Sequence, residues 1–300
     1  MKSIKIVTAS KLEWLQERVK DLTSTEVSAL FGLSPYSTYF EVWHHKKNQT
    51  YVTLEDNERM DWGNALEEAI AREAGRKNNW GEIIPRKDYY RIEELRLGSS
   101  FDFETTISNV PTLIEVKNVD GFIFKETWKK DEEGNIEAPY HIELQMQYQL
   151  LVSGYEQGII TALVGGNELV TLVRTPDLGM HEKIIETAKE FWSSIEENKV
   201  PVADYTKDAD FIISMYQVAI ERKEIAGTDY IAQMVWDYKQ ATANENTCKA
   251  DKKTLKAKIL EEIDDAEKVK GVFEGRNYTL TCKMNETKAR GFHIYQAKEK

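Results

Sequence analysis

Apolar side chains along the first 200 residues recur at two spacings, one typical of helices and the other of strands. Spacings of three and four predict amphipathic helices; these spacings occur in residues 11–31, where a second helix start is expected at 25–31, and in residues 62–75, 142–153 and 180–198. Alternating apolar and polar positions predict strands; they occur in residues 95–105, 113–118, 159–164 and 168–173, with 122–124 continuing the sheet. Because the two kinds of element are interspersed, residues 1–200 are expected to form an α/β core.

The pattern changes after Pro201, where charged residues become dense. Two long charged helices are predicted at 205–240 and 247–268, the second with an apolar stripe of Leu255, Ile259 and Ile263. Alternation then returns in 277–283 and 292–296, as in a β-hairpin. Residues 201–300 are therefore expected to be a C-terminal extension, a helical hairpin plus a β-hairpin.

Composition narrows the class of protein. Of the 300 residues, 41% are hydrophobic and 30% are charged, with no run of about 18 apolar residues, so a soluble protein without a membrane span is expected. The chain starts without an apolar signal core, and Cys248 and Cys282 form neither a disulfide framework nor a zinc motif, which favours the cytoplasm. A net charge of −11 argues against a protein that coats nucleic acid, but it is compatible with a DNA enzyme whose groove carries local charge.

Two ionisable residues fall on one face of a predicted strand. Glu115 and Lys117 are two apart in an otherwise apolar segment, so their side chains point the same way. On its own, the pair is more typical of a solvated edge strand. Asp102 lies between Phe101 and Phe103 in the preceding strand, and a hairpin between the two strands would bring it beside Glu115. Two adjacent carboxylates favour a hard divalent cation such as Mg²⁺, with the backbone carbonyl of Val116 as a further oxygen ligand.

The order of these residues resembles a known nuclease family. Gly63-x-x-x-Glu67, Asp102, Glu115-Val116-Lys117 and Gln145-Met146-Gln147 follow one another as in PD-(D/E)XK nucleases of the lambda exonuclease type. More closely, the chain resembles the YqaJ-like viral recombinases, whose opening block is similar to residues 23–36. The resemblance spans roughly residues 10–200, and it departs from the family where Phe101 replaces the usual Pro and Phe103 the usual Gly.

The resemblance implies a restriction-endonuclease-like core, with a central mixed sheet flanked by helices, and a role for each site residue. Asp102, Glu115 and the carbonyl of Val116 would hold Mg²⁺ or Mn²⁺, with Glu67 completing the outer metal shell. Lys117 would orient or deprotonate the attacking water, since burial and cations can lower a lysine pKa. Gln145 would contact the water or the DNA, with Gln147 as a less favoured substitute. As alternatives, Glu67 and its neighbour Glu68 are typical of a solvated helix surface, and so are the amides.

Arg18 and Thr25 stand seven residues apart, with Trp14 before them. In lambda-type exonucleases the equivalent positions bind the terminal 5′-phosphate; Thr25 stands where the family often has Ser. A guanidinium can clamp a phosphate with two hydrogen bonds, and a hydroxyl near a helix start adds a donor. Alternatively, Thr25 is a plain helix cap.

The function that the resemblance implies is a metal-dependent DNA exonuclease, acting 5′→3′ on linear duplex ends to generate single strands for phage-type recombination. Its expected partners are duplex DNA, a single-strand annealing protein and further copies of the chain. Two alternatives are left open: an endonuclease or nickase that uses the same site, and a non-catalytic DNA-binding protein that kept the fold. The complete set of two acids and one lysine argues against the last.

Overall fold

The computed structural model describes residues 2–50, 58–86, 88–130, 132–284 and 290–296. The chain divides into two compact units, residues 1–218 and 219–300; the change in composition suggested a boundary after residue 200. No helix within the described ranges is long and apolar enough to cross a membrane.

Helices and strands alternate along the first unit. The helices are α1 (Lys11–Lys20), α2 (Val27–Leu30), α3 (Tyr39–Lys47), α4 (Glu58–Asn78), α5 (Gly121–Thr127), α6 (Tyr140–Ser153), α7 (Leu178–Glu196) and α8 (Ala209–Met215). The strands are β1 (Ile4–Val7), β2 (Leu22–Thr23), β3 (Ile84–Pro85), β4 (Asp88–Ile92), β5 (Leu97–Ser99), β6 (Phe103–Ile107), β7 (Val110–Val119), β8 (Lys129–Lys130), β9 (Ile136–Glu137), β10 (Gly158–Val164) and β11 (Glu168–Arg174).

A mixed five-stranded sheet, in the order β11-β10-β7-β6-β3, forms the centre of this unit. β7 and β10 are parallel, and the other neighbours are antiparallel. Helices cover both faces: Ile114 and Val116 of β7 pack with α4, whereas Leu113 packs with Met146 and Leu150 of α6. The α/β core with a central mixed sheet is therefore confirmed. Because side chains alternate along β7, Glu115 and Lys117 lie on the α6 face with Leu113.

A tight hairpin joins β6 to β7 and sets their register. Its turn residues, Ser108 and Asn109, both have positive φ, at 50° and 67°, as a type I′ turn requires. The pairing ends at Phe103 opposite Ile114, so Asp102 lies level with the next residue of β7, Glu115. The hairpin expected from the sequence thus forms and brings the two acids together.

A second sheet, in the order β1-β4-β5-β2, lies in the same unit. β2 pairs with β5 in parallel, with Leu22 opposite Leu97 and Thr23 opposite Gly98. The helical stretch expected over residues 11–31 forms as two helices, α1 and α2, in agreement with the second helix start expected at 25–31, but the unexpected strand β2 separates them. This interruption places Thr23 and Thr25 next to the end of α1.

Two expectations in this unit are wrong. Residues 95–105 are not one strand: β5 ends at Ser99, and Asp102 lies in a bend where its side chain, not its backbone, takes the N–H of Val116. Residues 122–124 do not continue the sheet but lie in α5. Asp120 caps this helix by accepting hydrogen bonds from the backbone N–H groups of Phe122 and Ile123.

The second unit contains α9 (Asp229–Ile263), β12 (Lys268–Phe273), β13 (Arg276–Thr281) and β14 (His293–Gln296). The three strands form an antiparallel sheet, and the pairing of β13 with β14 confirms the predicted β-hairpin. The helical hairpin is wrong. Residues 241–246 contain neither Gly nor Pro, so the 35-residue helix α9 continues through the expected turn.

Candidate active site

Glu115 and Lys117 form an ion pair on the α6 face of the central sheet. The Lys117 Nζ lies 2.6 Å from the Glu115 Oε1. Glu115 is only 6% exposed, which does not fit a solvated pair at an edge. A buried carboxylate needs compensating partners, since an unpaired charge in the interior is costly.

Two glutamines of α6 supply those partners. The Gln145 Nε2 donates to Glu115 Oε1 at 2.7 Å, and its Oε1 accepts from the Lys117 Nζ at 3.1 Å. One helical turn later, the Gln149 Nε2 donates to Glu115 Oε2 at 2.6 Å and to the Ser100 carbonyl at 3.1 Å. Both oxygens of Glu115 are thus fixed. Sequence reasoning missed Gln149, although its position four residues after Gln145 places both amides on one helix face.

Gln147 faces another part of the molecule. Its Nε2 donates to the Thr175 carbonyl at 2.9 Å, and its Oε1 accepts from the Asp177 N–H at 2.8 Å. These bonds tie α6 to the segment that begins α7. The structure therefore does not bring Gln147 to the carboxylate cluster.

Asp102 is held against the open edge of β7. Its Oδ2 accepts from the Val116 N–H at 2.8 Å. β6 pairs with β7 only as far as Ile114, so the edge of β7 beside Asp102 carries no further partner from β6. The N–H and C=O of one strand residue point to the same edge, so the Val116 carbonyl is also directed to the side of Asp102.

Repulsion among three carboxylates shapes the electrostatics of this edge. Burial, followed by the charges of Glu115 and Glu67, raises the pKa of Asp102 well above its ordinary value. Burial and the charge of Glu115 likewise raise the pKa of Glu67, which projects from α4. Glu68, in contrast, is exposed and pairs with Arg72 at 2.7 Å, away from the site. Three acids therefore share one ammonium, that of Lys117.

Lys117 is protonated in this arrangement. Burial lowers its pKa, but the charge and hydrogen bond of Glu115, with a contribution from Asp102, outweigh burial, so the net shift is upward. In the chain by itself the pKa of Lys117 is raised because acids and not cations surround the ammonium; the lowered pKa expected beside a metal and a phosphate stays a prediction.

The excess of acid is chemically suited to a divalent cation. Carboxylate and carbonyl oxygens are the ligands that Mg²⁺ prefers, and the ion normally keeps several waters. Among the described residues, no group of three or more His, Cys, Asp or Glu side chains stands ready to enclose a metal ion. Asp102, Glu115 and the Val116 carbonyl fit a cation whose remaining positions water would fill.

Two aromatic rings lie near Lys117. Tyr36, which is 86% exposed, contacts His141 edge to face, with ring centroids 6.2 Å apart. Burial and the charge of Lys117 lower the pKa of His141. From the sequence, His141 was expected to be a core or surface histidine.

A second polar cluster gathers around Arg18. The Arg18 Nη2 donates to the hydroxyl of Thr25 at 3.0 Å and to that of Thr23 at 3.3 Å. Its guanidinium lies 4.4 Å from the ring centroid of Trp14. The structure thus brings Arg18 and Thr25 together. Thr25 does not occupy the N-cap of α2; Glu26 does, and it makes no side-chain cap bond.

Glu26 and Lys46 support this cluster. The Glu26 Oε2 accepts from the N–H and hydroxyl of Thr23 at 3.0 and 2.7 Å, and Lys46 Nζ lies 2.8 Å from it. Lys46, which is 5% exposed, also donates to the Arg18 carbonyl at 2.9 Å. Sequence reasoning missed both residues, since Lys46 is 28 positions from Arg18 in the chain.

α6 connects the two clusters. Between Gln145 and Gln149, the buried Tyr148 donates its hydroxyl hydrogen bond to the carbonyl of Leu22 in β2. α6 therefore contacts Glu115 through the amides of Gln145 and Gln149. Through the phenol of Tyr148 it contacts β2, at the residue next to Thr23.

Comparison with known proteins relates part of the chain to a described family. Residues 13–156 match the family described as the YqaJ-like viral recombinase domain. The uncharacterized protein YqaJ of Bacillus subtilis (strain 168) is 25% identical over 264 residues, 86% of this chain and 80% of that protein.

Two solved structures align with about two thirds of the chain. An alkaline exonuclease from Laribacter hongkongensis is 15% identical, with a TM-score of 0.44 over 63% of this chain and 94% of that one. A phage-related exonuclease from Haemophilus somnus 129PT is 14% identical, with a TM-score of 0.39 over 64% and 91%. Residues 13–156, which include Arg18, Asp102 and Glu115, are therefore similar to the YqaJ-like viral recombinase domain, the family that the motifs resemble.

Proposed function

We propose that this protein is a metal-dependent DNA exonuclease that degrades linear duplex DNA in the 5′→3′ direction. The observation that carries the proposal is the convergence of Asp102, Glu115 and Glu67 around one ammonium, Lys117, at the open edge of β7. The YqaJ-like domain match supports the same reaction class.

Asp102, Glu115 and the Val116 carbonyl would hold Mg²⁺ or Mn²⁺, with Glu67 in the outer shell. Such a cation stabilises charge on the scissile phosphate and lowers the pKa of a water molecule. The carboxylate excess supports this assignment, because a bound cation relieves the repulsion that raises the pKa of Asp102.

The remaining residues hold the reacting groups in place. Gln145 and Gln149 fix the two oxygens of Glu115, so its carboxylate cannot rotate freely. Lys117 carries its proton and can donate to a phosphate oxygen or orient the attacking water. It can act as a base only when the negative charge beside it is neutralised, since that charge keeps its pKa high.

The Arg18 cluster supports the direction of cleavage. A guanidinium with two adjacent threonine hydroxyls provides donors to the terminal phosphate of a 5′ end. Degradation from that end leaves a single strand, which suits transfer to a single-strand annealing protein in phage-type recombination. An assembly of several copies around the duplex would favour processivity.

The test compares linear and closed circular duplex DNA with Mg²⁺, with Mn²⁺ and with a chelator. We expect end-dependent release of nucleotides with either metal and none with the chelator. Lys117→Ala should lose cleavage while keeping its fold and its metal binding, although its metal-free form should be less stable because the buried Glu115 loses its ion-pair partner. Lys125→Ala, a change on α5, should behave like the wild type. Cutting of closed circles would support an endonuclease instead, and binding without cutting would support a non-catalytic protein.

A further inference from the structure

One face of α9 carries a row of lysines in the second unit. Lys249, Lys252, Lys253 and Lys256 follow one another at intervals of three, one and three residues, which places all four on the same side of the helix. All four are exposed. We call these four residues the lysine face.

The lysine face is a local concentration of positive charge in an acidic protein. Residues 219–300 hold 16 Lys and Arg against 14 Asp and Glu, whereas residues 1–218 hold 24 against 37. At 100° per residue, Asp251, the acid nearest in sequence, lies on the opposite side of the helix, about 160–200° around from Lys249. Lys258 lies on that opposite side too. The unit that carries the candidate active site therefore repels a polyanion overall, and the lysine face attracts one.

Two of the four ammonium groups are free to bind a ligand. Lys249 lies 2.5 Å from Glu245, and Lys256 donates to the Arg290 carbonyl at 3.3 Å. Within the described part of the chain, Lys252 and Lys253 make no ion pair.

The geometry fits a nucleic-acid backbone. The seven residue-to-residue steps along the helix from Lys249 to Lys256 span about 10 Å. This length corresponds to about three phosphates along one DNA strand, at 3.4 Å each. A membrane-surface helix would need a broad apolar side opposite its lysines, but residues 249–258 offer only Leu255 and two alanines. We propose that the lysine face binds the phosphate backbone of the duplex, outside the cleavage site and without regard to sequence; the proposal rests on the proposed DNA substrate.

The experiment measures how binding of a short linear duplex by the full chain depends on salt, with a chelator present to prevent cleavage. Each lysine that neutralises a phosphate contributes about 0.9 to the slope of log K against log salt. The variant Lys252→Gln/Lys253→Gln should therefore lower the magnitude of the slope by about 2 and weaken binding about ten-fold near 0.1 M salt. The matched control, Lys258→Gln/Lys268→Gln, removes two exposed lysines of the same unit outside the lysine face and should leave the slope unchanged.

The outcomes separate this surface from the proposed function. If the wild type cuts linear duplex but both double variants keep its slope, the lysine face is only solvated and the inference is overturned. If the two variants lose slope equally, the effect is one of general charge and the face is not a site. If Lys252→Gln/Lys253→Gln weakens binding to phosphatidylserine vesicles and not to DNA, the ligand is lipid. A wild type that neither binds nor cuts duplex DNA overturns the proposed function, and this inference with it.

Discussion

The Gln149 amide donates to Glu115 Oε2 at 2.6 Å, on the carboxylate oxygen that neither Lys117 nor Gln145 contacts. The same amide nitrogen also donates to the Ser100 carbonyl, so one side chain joins the carboxylate to the bend that precedes Asp102. Gln149 thus positions both acids relative to each other without being a metal ligand itself.

Gln149→Leu should lower kcat about ten-fold and weaken Mg²⁺ binding, because Glu115 loses the donor that fixes one oxygen. Titration calorimetry of the metal and steady-state cleavage kinetics measure the two effects. Gln147→Leu is the matched control: it should cost about 1–2 kcal/mol of stability through its lost bonds to the start of α7 and leave metal affinity unchanged. Equal metal affinity in Gln149→Leu and the wild type would show that Gln149 has only a structural role.

Glu67 and Glu68 are adjacent carboxylates with different surroundings. Glu67→Gln should reduce cleavage and lower the raised pKa of Asp102, because one of the charges that repel it is removed. Glu68→Gln should have no effect on cleavage, since that side chain pairs with Arg72 on the surface. Cleavage rates of both variants and NMR titration of the Asp102 carboxyl provide the comparison. Similar activity in the two variants would exclude Glu67 from the site.

The sequence was informative wherever one strand or one helix determines the geometry. Two-residue periodicity put Glu115 and Lys117 on one face, and the hairpin after Phe103 set Asp102 beside them. Prediction from the sequence failed where contacts between distant parts of the chain determine the local structure. β2 exists because it pairs with β5, some 75 residues away, and nothing local marks Leu22 and Thr23 as a strand.

The direction of the Lys117 pKa shift was beyond the sequence for the same reason. The result depends on the balance between burial and the three carboxylates that converge on the ammonium, and Glu67 comes from a different helix. Lys46 was missed because its ammonium is buried under Arg18 by packing of α3 against α1. Ion pairs of this kind appear only once the elements are assembled.

Asp102→Asn should stabilise the metal-free protein by about 1 kcal/mol at neutral pH while abolishing cleavage, since functional sites often cost stability. The folded-state pKa of Asp102 is raised, so ionisation opposes folding. The wild type therefore loses stability as the pH rises from about 3.9, the ordinary Asp pKa, through the raised value. Asn cannot ionise, so the difference in the free energy of unfolding between the two proteins should grow with pH.

Urea unfolding from pH 5 to pH 8 with a chelator measures this difference, and a difference that shrinks with rising pH would contradict the assignment. Saturating Mg²⁺ should reverse the order by stabilising only the wild type.

The last prediction concerns the cluster around Arg18, where one guanidinium contacts two threonine hydroxyls above a buried Lys46–Glu26 pair. Arg18→Ala should lose preference for 5′-phosphorylated ends by about 10- to 100-fold, the worth of one charge-assisted hydrogen bond at about 1.5–3 kcal/mol. Arg18→Lys should recover only part of it, because an ammonium lacks the two-pronged geometry. Cleavage within an already engaged strand should be unaffected, since Asp102, Glu115 and Lys117 are untouched.

The experiment compares the digestion of 5′-phosphorylated and 5′-hydroxyl duplexes by the wild type, both Arg18 variants and Arg72→Ala. Arg72 pairs with Glu68 on the exposed side of α4 and should match the wild type. If Arg18→Ala discriminates the two ends as well as Arg72→Ala does, the guanidinium only organises the threonines and the 5′ end is recognised elsewhere.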